Sequence, residues 1–235
     1  MKVLLLAGQS NMEGSGRSAD LDRAALPRTV RIFTDTGWVG IDQLRERFGP
    51  EIGVAEVLAE RGEAEQTALI KHAVGGTSSL AWEPDWDPRE AARTDNADAG
   101  PLYRQLLDRV GAAREHDPID PVGVLWMQGE SDARHPEVAP AYANTMRRII
   151  DAWRNDLARP DLPVVMGLVD PPANAFPAAE LVQAAQRLLA ENDAHIALVD
   201  TTDLSKWSDA LHYDSAGVRE LGRRLATAWF DLRPR

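Results

Sequence analysis

Three residues whose side chains together can perform nucleophilic acyl transfer lie near opposite ends of this chain. Ser10 follows an apolar run near the start, and Asp209 and His212 lie three positions apart near the end. A serine hydroxyl is a weak nucleophile until a base takes its proton, and a histidine base needs an acceptor that holds its other nitrogen. The residue types therefore predict a Ser–His–Asp triad, provided that folding brings the two ends together.

Each half of this motif also has a simpler explanation. Serine is a common helix N-cap, and this interpretation of Ser10 is the better one when the residue is considered alone. Asp209 and His212 form a D-x-x-H pattern, which is frequent by chance and is typical of an exposed loop. Ser10 nevertheless stands where a first strand should end, and ligands of open parallel sheets bind beyond the carboxyl ends of the strands.

Two further segments end predicted strands and could donate hydrogen bonds to an oxyanion. Gly75 and Gly76 allow the backbone to approach a substrate closely, although a glycine pair is more often only a turn. Gln128 follows the strand that ends in Trp126 and Met127, and its side-chain amide could donate to a developing negative charge. Convergence of these segments with Ser10 would favour the catalytic interpretation.

The elements that must position these residues follow an alternating pattern. Short apolar runs alternate with helical periodicity, which predicts an α/β domain with a parallel sheet. The predicted strands are 3–6, 30–33, 68–74, 122–127, 164–169 and 196–199. The predicted helices cover 52–59, 102–113 (beginning near Pro101), 138–153, 181–188 and 218–228.

Composition limits the class of protein. The chain has 235 residues, 44% of them hydrophobic, and no repeat or linker divides it, so we expect a single domain over residues 1–235. The net charge of −11 argues against nucleic-acid or anionic-membrane partners, and the absence of cysteine excludes a thiol nucleophile and disulfides. No apolar run approaches the roughly 20 residues of a membrane span. We expect a cytoplasmic protein, unless a leader has been removed.

Other candidate residues have open assignments. The irregular segment 75–100 is either a functional loop or a surface insertion held down by its tryptophans. Trp82 and Trp207 could stack on sugar rings, although tryptophan more often serves packing. Glu130, Asp132 and His135 could be read as a metal cluster, but no second group of ligands accompanies them.

With its motifs in order, the chain resembles the SGNH/GDSL hydrolase superfamily, and more narrowly the branch of sialate O-acetylesterases and acetylxylan esterases, carbohydrate esterase family six. Members of that branch carry G-Q-S-N-M, G-G-T-S, W-x-Q-G-E-x-D and D-x-x-H blocks. The matching segments are Gly8 to Met12, Gly75 to Ser78, Trp126 to Asp132 and Asp209 to His212. Any one block is weak, whereas four in order at strand ends are specific.

The resemblance implies a fold and a set of roles. The fold is a three-layer α/β/α sandwich, flavodoxin-like, around a parallel sheet of about five strands. Ser10 is the implied nucleophile, His212 the general base and then acid, and Asp209 the residue that orients His212. The implied oxyanion hole is formed by the backbone N–H groups of Ser10 and Gly76 and the side chain of Gln128. The implied supporting residues are Gln9, Asn11 and Glu130.

The implied substrate is a small-molecule or oligosaccharide acyl ester, and neither a cofactor nor a metal is expected. Two alternatives stay open at this point. One is an esterase, lipase or thioesterase that acts on a non-carbohydrate ester, because one fold hosts many functions. The other is a non-catalytic sugar-binding domain that retains a vestigial triad. Neither the acylated sugar nor the oligomeric state follows from the sequence.

Overall fold

A seven-stranded sheet forms the centre of the protein. The computed structural model describes residues 1–44 and 47–232. Its strands are β1 (Lys2–Gly8), β2 (Arg31–Thr34), β3 (Gly37–Gly40), β4 (Thr67–Ala73), β5 (Asp120–Met127), β6 (Val164–Gly167) and β7 (Ile196–Val199). Their order across the sheet is β3-β2-β4-β1-β5-β6-β7, and every neighbouring pair is parallel except the β2–β3 hairpin.

The α/β class predicted from the sequence is confirmed, with two strands more than the expected core of about five. Strands β4, β1, β5, β6 and β7 alone follow the flavodoxin-like order, in which the first strand lies between the second and the third. The antiparallel hairpin of β2 and β3 extends this core at one edge. The sequence predicted β2 but not β3, whose four residues include two glycines and carry no apolar run.

Eight helices lie in the described part of the chain and complete the three layers. They are α1 (Ser10–Glu13), α2 (Glu51–Glu60), α3 (Pro88–Ala91), α4 (Leu102–His116), α5 (Glu130–Arg134), α6 (Tyr142–Asp156), α7 (Ala179–Glu191) and α8 (Ser215–Leu232). Helix α2 packs against α8, which also contacts β5, β6 and β7, whereas α4 packs on β3 and β4 and α6 packs on α7.

Burial explains why β1 reads as an unbroken apolar run. Residues 3–7 have no exposed surface, because the strand lies in the middle of the sheet with a neighbour on each side and helices above and below. Such strands of parallel sheets lack the alternation of half-buried strands. The buried centre fixes the carboxyl end of β1, where Ser10 begins the next element.

Two predicted elements differ from the structure in extent. The helix expected over residues 138–153 begins at Tyr142 and follows a short 3₁₀ turn over Ala139–Ala141, because Pro140 lies at the start of that turn. Segment 75–100, expected to be irregular, contains α3 and two 3₁₀ turns, Ser79–Trp82 and Ala97–Ala99.

In the described ranges, no helix combines the length and the apolar character that crossing a membrane requires.

Candidate active site

Ser10 is the first residue of α1, immediately beyond the end of β1. Gly8, the last residue of the strand, has a φ of +151°, and a Cβ at this position would lie 2.0 Å from the carbonyl oxygen of Met127. Only glycine fits this conformation and this close approach. The backbone at Gly8 and the extended Gln9 therefore turn the chain sharply, so that the Ser10 side chain lies at the carboxyl edge of the sheet.

Ser10, His212 and Asp209 form a continuous chain of hydrogen bonds. The Nε2 atom of His212 lies 3.1 Å from the Ser10 Oγ atom, and its Nδ1 atom lies 2.7 Å from the Asp209 Oδ2 atom. Both distances are within hydrogen-bonding range. The three residues line one open cleft of about 710 Å³. The structure thus brings together the two ends of the chain, as the sequence pattern required.

Asp209 is fixed by the backbone that follows it. Its Oδ1 atom accepts hydrogen bonds from the backbone N–H groups of Leu211 and His212, each at 3.0 Å. Partial burial alone would raise the pKa of Asp209, but the hydrogen bonds from the His212 ring and from these two N–H groups outweigh it and lower the pKa. The carboxylate is therefore ionised at neutral pH and can hold the Nδ1–H of His212.

A buried pair, Asn11 and Glu130, supports the His212 segment from below. Asn11 accepts a hydrogen bond from the Tyr213 N–H at 3.1 Å and donates from Nδ2 to the carbonyl oxygen of Leu211 at 3.2 Å. The same Nδ2 atom donates to Glu130 Oε1 at 2.7 Å. Asn11 thus binds the backbone on both sides of His212 and is itself held by Glu130.

Glu130 is almost completely buried at the start of α5, with 2% of its surface exposed. Burial is the main cause that raises the pKa of its carboxyl group, against the hydrogen bond from Asn11 and the nearby His212. The sequence identified Glu130 but did not predict α5, whose five residues carry no helical apolar pattern.

The Gly75–Gly76 turn approaches Ser10 from the end of β4. Glu13, at the end of α1, accepts a hydrogen bond from the Gly75 N–H at 2.9 Å through its Oε2 atom. Gly76 has a φ of +74°. Within the described ranges, the N–H groups of Ser10 and Gly76 donate to no protein acceptor. The sequence did not single out Glu13, which holds this turn against α1.

The side-chain amide of Gln128 does not take the place in the oxyanion hole that the family resemblance implies. The side chain is fully buried, and its Nε2 atom contacts Gln9 Oε1 at 3.2 Å, the Thr77 carbonyl oxygen at 3.1 Å and Asp132 Oδ2 at 2.5 Å. The amide hydrogens are therefore already used and do not face the cleft. The physical reason is Asp132, a completely buried carboxylate that needs donors nearby.

Gln9 holds the start of α5 against β1. Its Oε1 atom accepts from Gln128 and from the backbone N–H groups of Gly129 and Ser131, at 3.3 and 3.2 Å for the latter two. The backbone amides at the start of a helix lack partners within the helix, so this side chain satisfies two of them. Gln9 therefore fixes α5, and with it Glu130, relative to the strand that leads to Ser10.

The two candidate sugar platforms have different environments. Trp207 lines the cleft with Ser10 and His212, and the guanidinium of Arg17 lies 4.0 Å from its ring centre. Trp82 has no exposed surface and packs edge-on against Trp126, so the expectation that it binds substrate is wrong. The other interpretation of the sequence, that the tryptophan serves packing, agrees with this buried position.

The remaining interpretation of the sequence was a metal cluster at Glu130, Asp132 and His135. In the part of the chain that the structure describes, no three His, Asp or Glu side chains lie close enough to hold a metal ion. Asp132 instead accepts hydrogen bonds from Ser79, through its N–H at 2.9 Å and its hydroxyl at 2.5 Å. This residue connects the segment after Gly76 to α5.

An α/β/α fold with a serine, a histidine and an aspartate in hydrogen-bonded sequence at the carboxyl edge of the sheet is typical of carboxylic ester hydrolases. A family model described as "Carbohydrate esterase, sialic acid-specific acetylesterase" matches residues 1–231. The chain belongs to this family and is a carboxylic ester hydrolase. The family resemblance inferred from the four sequence blocks is thereby confirmed.

Individual relatives agree in length and fold. A probable carbohydrate esterase of Arabidopsis thaliana is 27% identical over 97% of this chain and 90% of its own. Its crystal structure superposes with a TM-score of 0.79 at 25% identity, over 98% of both chains. A carbohydrate acetylesterase of Xanthomonas citri superposes with a TM-score of 0.73 at 22% identity, over 96% of this chain and 55% of that one.

Proposed function

We propose that this protein hydrolyses acetyl esters of carbohydrate hydroxyl groups through a covalent acyl-enzyme on Ser10. The observation that carries the proposal is the unbroken series of contacts from Ser10 Oγ through the His212 ring to Asp209, at 3.1 and 2.7 Å, within an open cleft. Membership of a carbohydrate esterase family, and acetylesterases among the structural neighbours, favour the acetyl ester of a sugar as substrate.

In the first half of the reaction, Ser10 Oγ attacks the ester carbonyl carbon while His212 Nε2 takes the hydroxyl proton. The carbonyl π-electrons move to oxygen and give a tetrahedral oxyanion. The C–O bond to the sugar then breaks, and His212 returns the proton to the departing sugar oxygen. Asp209 holds the ring in the tautomer that presents Nε2 to Ser10 and stabilises the imidazolium.

In the second half, water replaces the sugar. His212 takes a proton from water, whose oxygen attacks the acetyl-Ser10 carbonyl carbon, and the second tetrahedral intermediate collapses to acetate. The proton on His212 returns to Ser10 Oγ, which restores the starting enzyme. The ester and one water molecule are consumed, and the side chains of the triad return to their starting states.

The oxyanion is held by backbone donors in this proposal. The N–H groups of Ser10 and Gly76 are without acceptors in the described chain, and N–H pairs of this kind stabilise the negative charge that develops on the carbonyl oxygen. Gln128, whose amide hydrogens are used within the protein, acts as a positioning residue because it binds the carbonyl oxygen of Thr77, next to Gly76.

Trp207 is proposed to contact the sugar. It lines the same cleft as Ser10, Arg17 and Arg47, and the guanidinium of Arg17 lies over its ring. Flat apolar rings with polar surroundings suit a sugar, which has apolar C–H faces and polar edges. Charged and hydroxyl side chains line this cleft beside the Trp207 ring, in contrast to the long apolar channel that a lipase would need for an acyl chain.

The experiment is a panel of acetylated mono- and oligosaccharides in which released acetate is measured for the wild-type protein and Ser10→Ala. We expect release from at least one sugar acetate by the wild type and none by the variant. Equal release by both proteins would end the assignment of Ser10. If the wild type hydrolyses p-nitrophenyl acetate but none of the sugar acetates, the esterase activity stands and the carbohydrate substrate is rejected.

A further inference from the structure

Asn96 makes a direct contact with the turn that carries one of the proposed oxyanion donors. Its Nδ2 atom donates to the carbonyl oxygen of Gly75 at 2.7 Å. That carbonyl group and the N–H of Gly76 belong to the same planar peptide unit, which is trans and therefore points them in opposite directions. A side chain that holds the carbonyl of Gly75 thus also fixes the direction of the Gly76 N–H.

This peptide unit needs an external restraint. Two consecutive glycines, Gly75 and Gly76, have more accessible backbone conformations than any other pair, so the plane between them can rotate at little cost. On the side of β4, Glu13 already binds the N–H of Gly75 at 2.9 Å. Asn96 supplies the second fixed point, on the carbonyl of the next peptide, and the Gly76 N–H is left without a protein partner in the described ranges.

Asn96 is itself held in place by the contacts of the two residues before it, Thr94 and Asp95. Thr94 shares a hydrogen bond of 2.7 Å with the hydroxyl of Ser78, and Asp95 lies 3.4 Å from His135 and 3.5 Å from Arg134. These contacts tie residues 94 and 95 to the segment after Gly76 and to the end of α5. The position of Asn96 therefore follows from the contacts of the two residues that precede it.

The backbone of Asn96 suits this role. Its φ of +53° lies in the left-handed region, which only glycine, asparagine and aspartate adopt readily. A Cβ atom placed on Gly76 would lie 3.7 Å from the Asn96 Cβ atom, so the Asn96 side chain runs alongside this glycine. The left-handed conformation turns the side chain back onto the Gly75–Gly76 peptide.

We propose that Asn96 is a positioning residue of the oxyanion hole, which orients and polarises the Gly75–Gly76 peptide so that the Gly76 N–H faces the substrate oxygen. The inference rests on the proposed function, since it needs an oxyanion at that N–H. A hydrogen bond accepted at the carbonyl oxygen strengthens the donor at the other end of the same peptide group. Asn96 is not among the residues that line the cleft with Ser10, so we assign it an indirect role.

The test uses two substitutions that keep the left-handed backbone. Asn96→Asp keeps the shape but removes the donor, and Asn96→Gly removes the side chain without backbone strain. The matched control is Asn192→Asp, because Asn192 also donates from Nδ2 to a backbone carbonyl, that of Leu188 at 2.7 Å, on the far end of α7. The readouts are kcat, KM, the rate of Ser10 labelling by a fluorophosphonate, and the melting temperature.

We expect both Asn96 variants to lose about tenfold in kcat, less than the roughly 10²–10³ that follows removal of an oxyanion donor. KM should stay within twofold, and the labelling rate should fall in parallel with kcat, since the phosphonyl oxygen occupies the same hole. A purely structural role would instead lower the melting temperature and change KM. Asn192→Asp should leave kcat and labelling unchanged.

The outcomes separate this inference from the function on which it rests. If Ser10→Ala is inactive and both Asn96 variants keep wild-type kcat and labelling rate, the inference is overturned and the esterase proposal stands. If Ser10→Ala is as active as the wild type, the proposed function fails and the inference fails with it. A loss confined to Asn96→Asp would show that the added charge, not the lost donor, is responsible, and would also overturn it.

Discussion

Asn11 and Glu130 are 119 positions apart in the chain, yet their side chains meet at 2.7 Å beneath His212. Through Asn11, this contact reaches the backbone of Leu211 and Tyr213, on either side of the histidine. Asn11, a single buried residue, therefore joins the N-terminal motif to the motif after β5 and to the C-terminal motif. The geometry of the candidate site depends on this connection as much as on Ser10, Asp209 and His212.

The first prediction concerns Asn11→Ala. The substitution leaves the Tyr213 N–H and the Glu130 carboxyl without their partner in a buried setting, and each such loss costs about 1–3 kcal/mol. We expect urea denaturation to show a loss of about 2 kcal/mol or more and kcat to fall at least tenfold in the protein that remains folded. Asn155→Ala, at an exposed position on α6, is the control and should change neither quantity appreciably.

The second prediction concerns the pH dependence of stability at Glu130. Burial raises the pKa of this carboxyl group, so the folded state holds a proton that the unfolded state has released above about pH 4.3. Stability from this residue therefore falls as the pH rises from that value through the folded pKa. Glu130→Gln cannot ionise, so its free energy of unfolding should improve relative to the wild type as the pH rises.

Urea denaturation of both proteins across acidic to neutral pH measures this difference. Asp132, whose pKa burial also raises, is present in both proteins and largely cancels in the comparison. Glu191→Gln, at an exposed position on α7, is the matched control for a change at a solvated carboxylate. If the difference in the free energy of unfolding between wild type and Glu130→Gln stays constant over this pH range, the pKa of Glu130 is not raised in the folded state and the prediction is contradicted.

The third prediction concerns Asp209→Asn. The amide cannot hold the Nδ1–H of His212 as a carboxylate does, so the ring presents the wrong tautomer to Ser10, and kcat for an acetyl ester should fall by about 10⁴. Asp203→Asn removes a carboxylate on the same segment that pairs with Arg224 at 2.5 Å. It should leave kcat unchanged, and comparable losses in the two variants would argue against a special role for Asp209.

The fourth prediction separates the two tryptophans. Trp207→Ala should raise KM for a sugar acetate several-fold, through loss of a stacking contact, and leave KM for p-nitrophenyl acetate unchanged. Trp82→Ala should lower the free energy of unfolding by about 3–5 kcal/mol, because it empties a completely buried site. An equal rise in KM for both substrates with Trp207→Ala would argue against sugar contact.

The sequence predicted the parts of this architecture that depend on local patterns. Buried parallel strands read as apolar runs, so β1 and β5, and the loops after them, could be placed correctly. Ser10, Asp209 and His212 stand out because their residue types match a known chemistry. The meeting of positions 10 and 212 then followed from the rule that ligand sites gather at the carboxyl edge of a parallel sheet.

The errors concern side chains whose environment is set by distant residues. Gln128 was expected to face the cleft, but the buried carboxylate of Asp132 attracts its amide, and nothing in the local pattern shows that Asp132 is buried. Trp82 was a candidate for stacking on a sugar, and its complete burial supports the other interpretation, that it serves packing. Asn96 could not be identified at all, since its contact with Gly75 spans 21 positions and depends on the path of the whole loop.

The most direct test of the account is covalent labelling of the nucleophile. A fluorophosphonate reacts with an activated serine hydroxyl, loses fluoride and leaves a stable adduct that intact-mass and peptide analysis can locate. We predict one adduct per chain, on Ser10, that is absent in Ser10→Ala. The control is Ser205→Ala, which removes the hydroxyl of an exposed serine in the segment before Asp209 and should retain the adduct. An adduct on another residue, or equal labelling of wild type and Ser10→Ala, would contradict the claim that His212 activates Ser10.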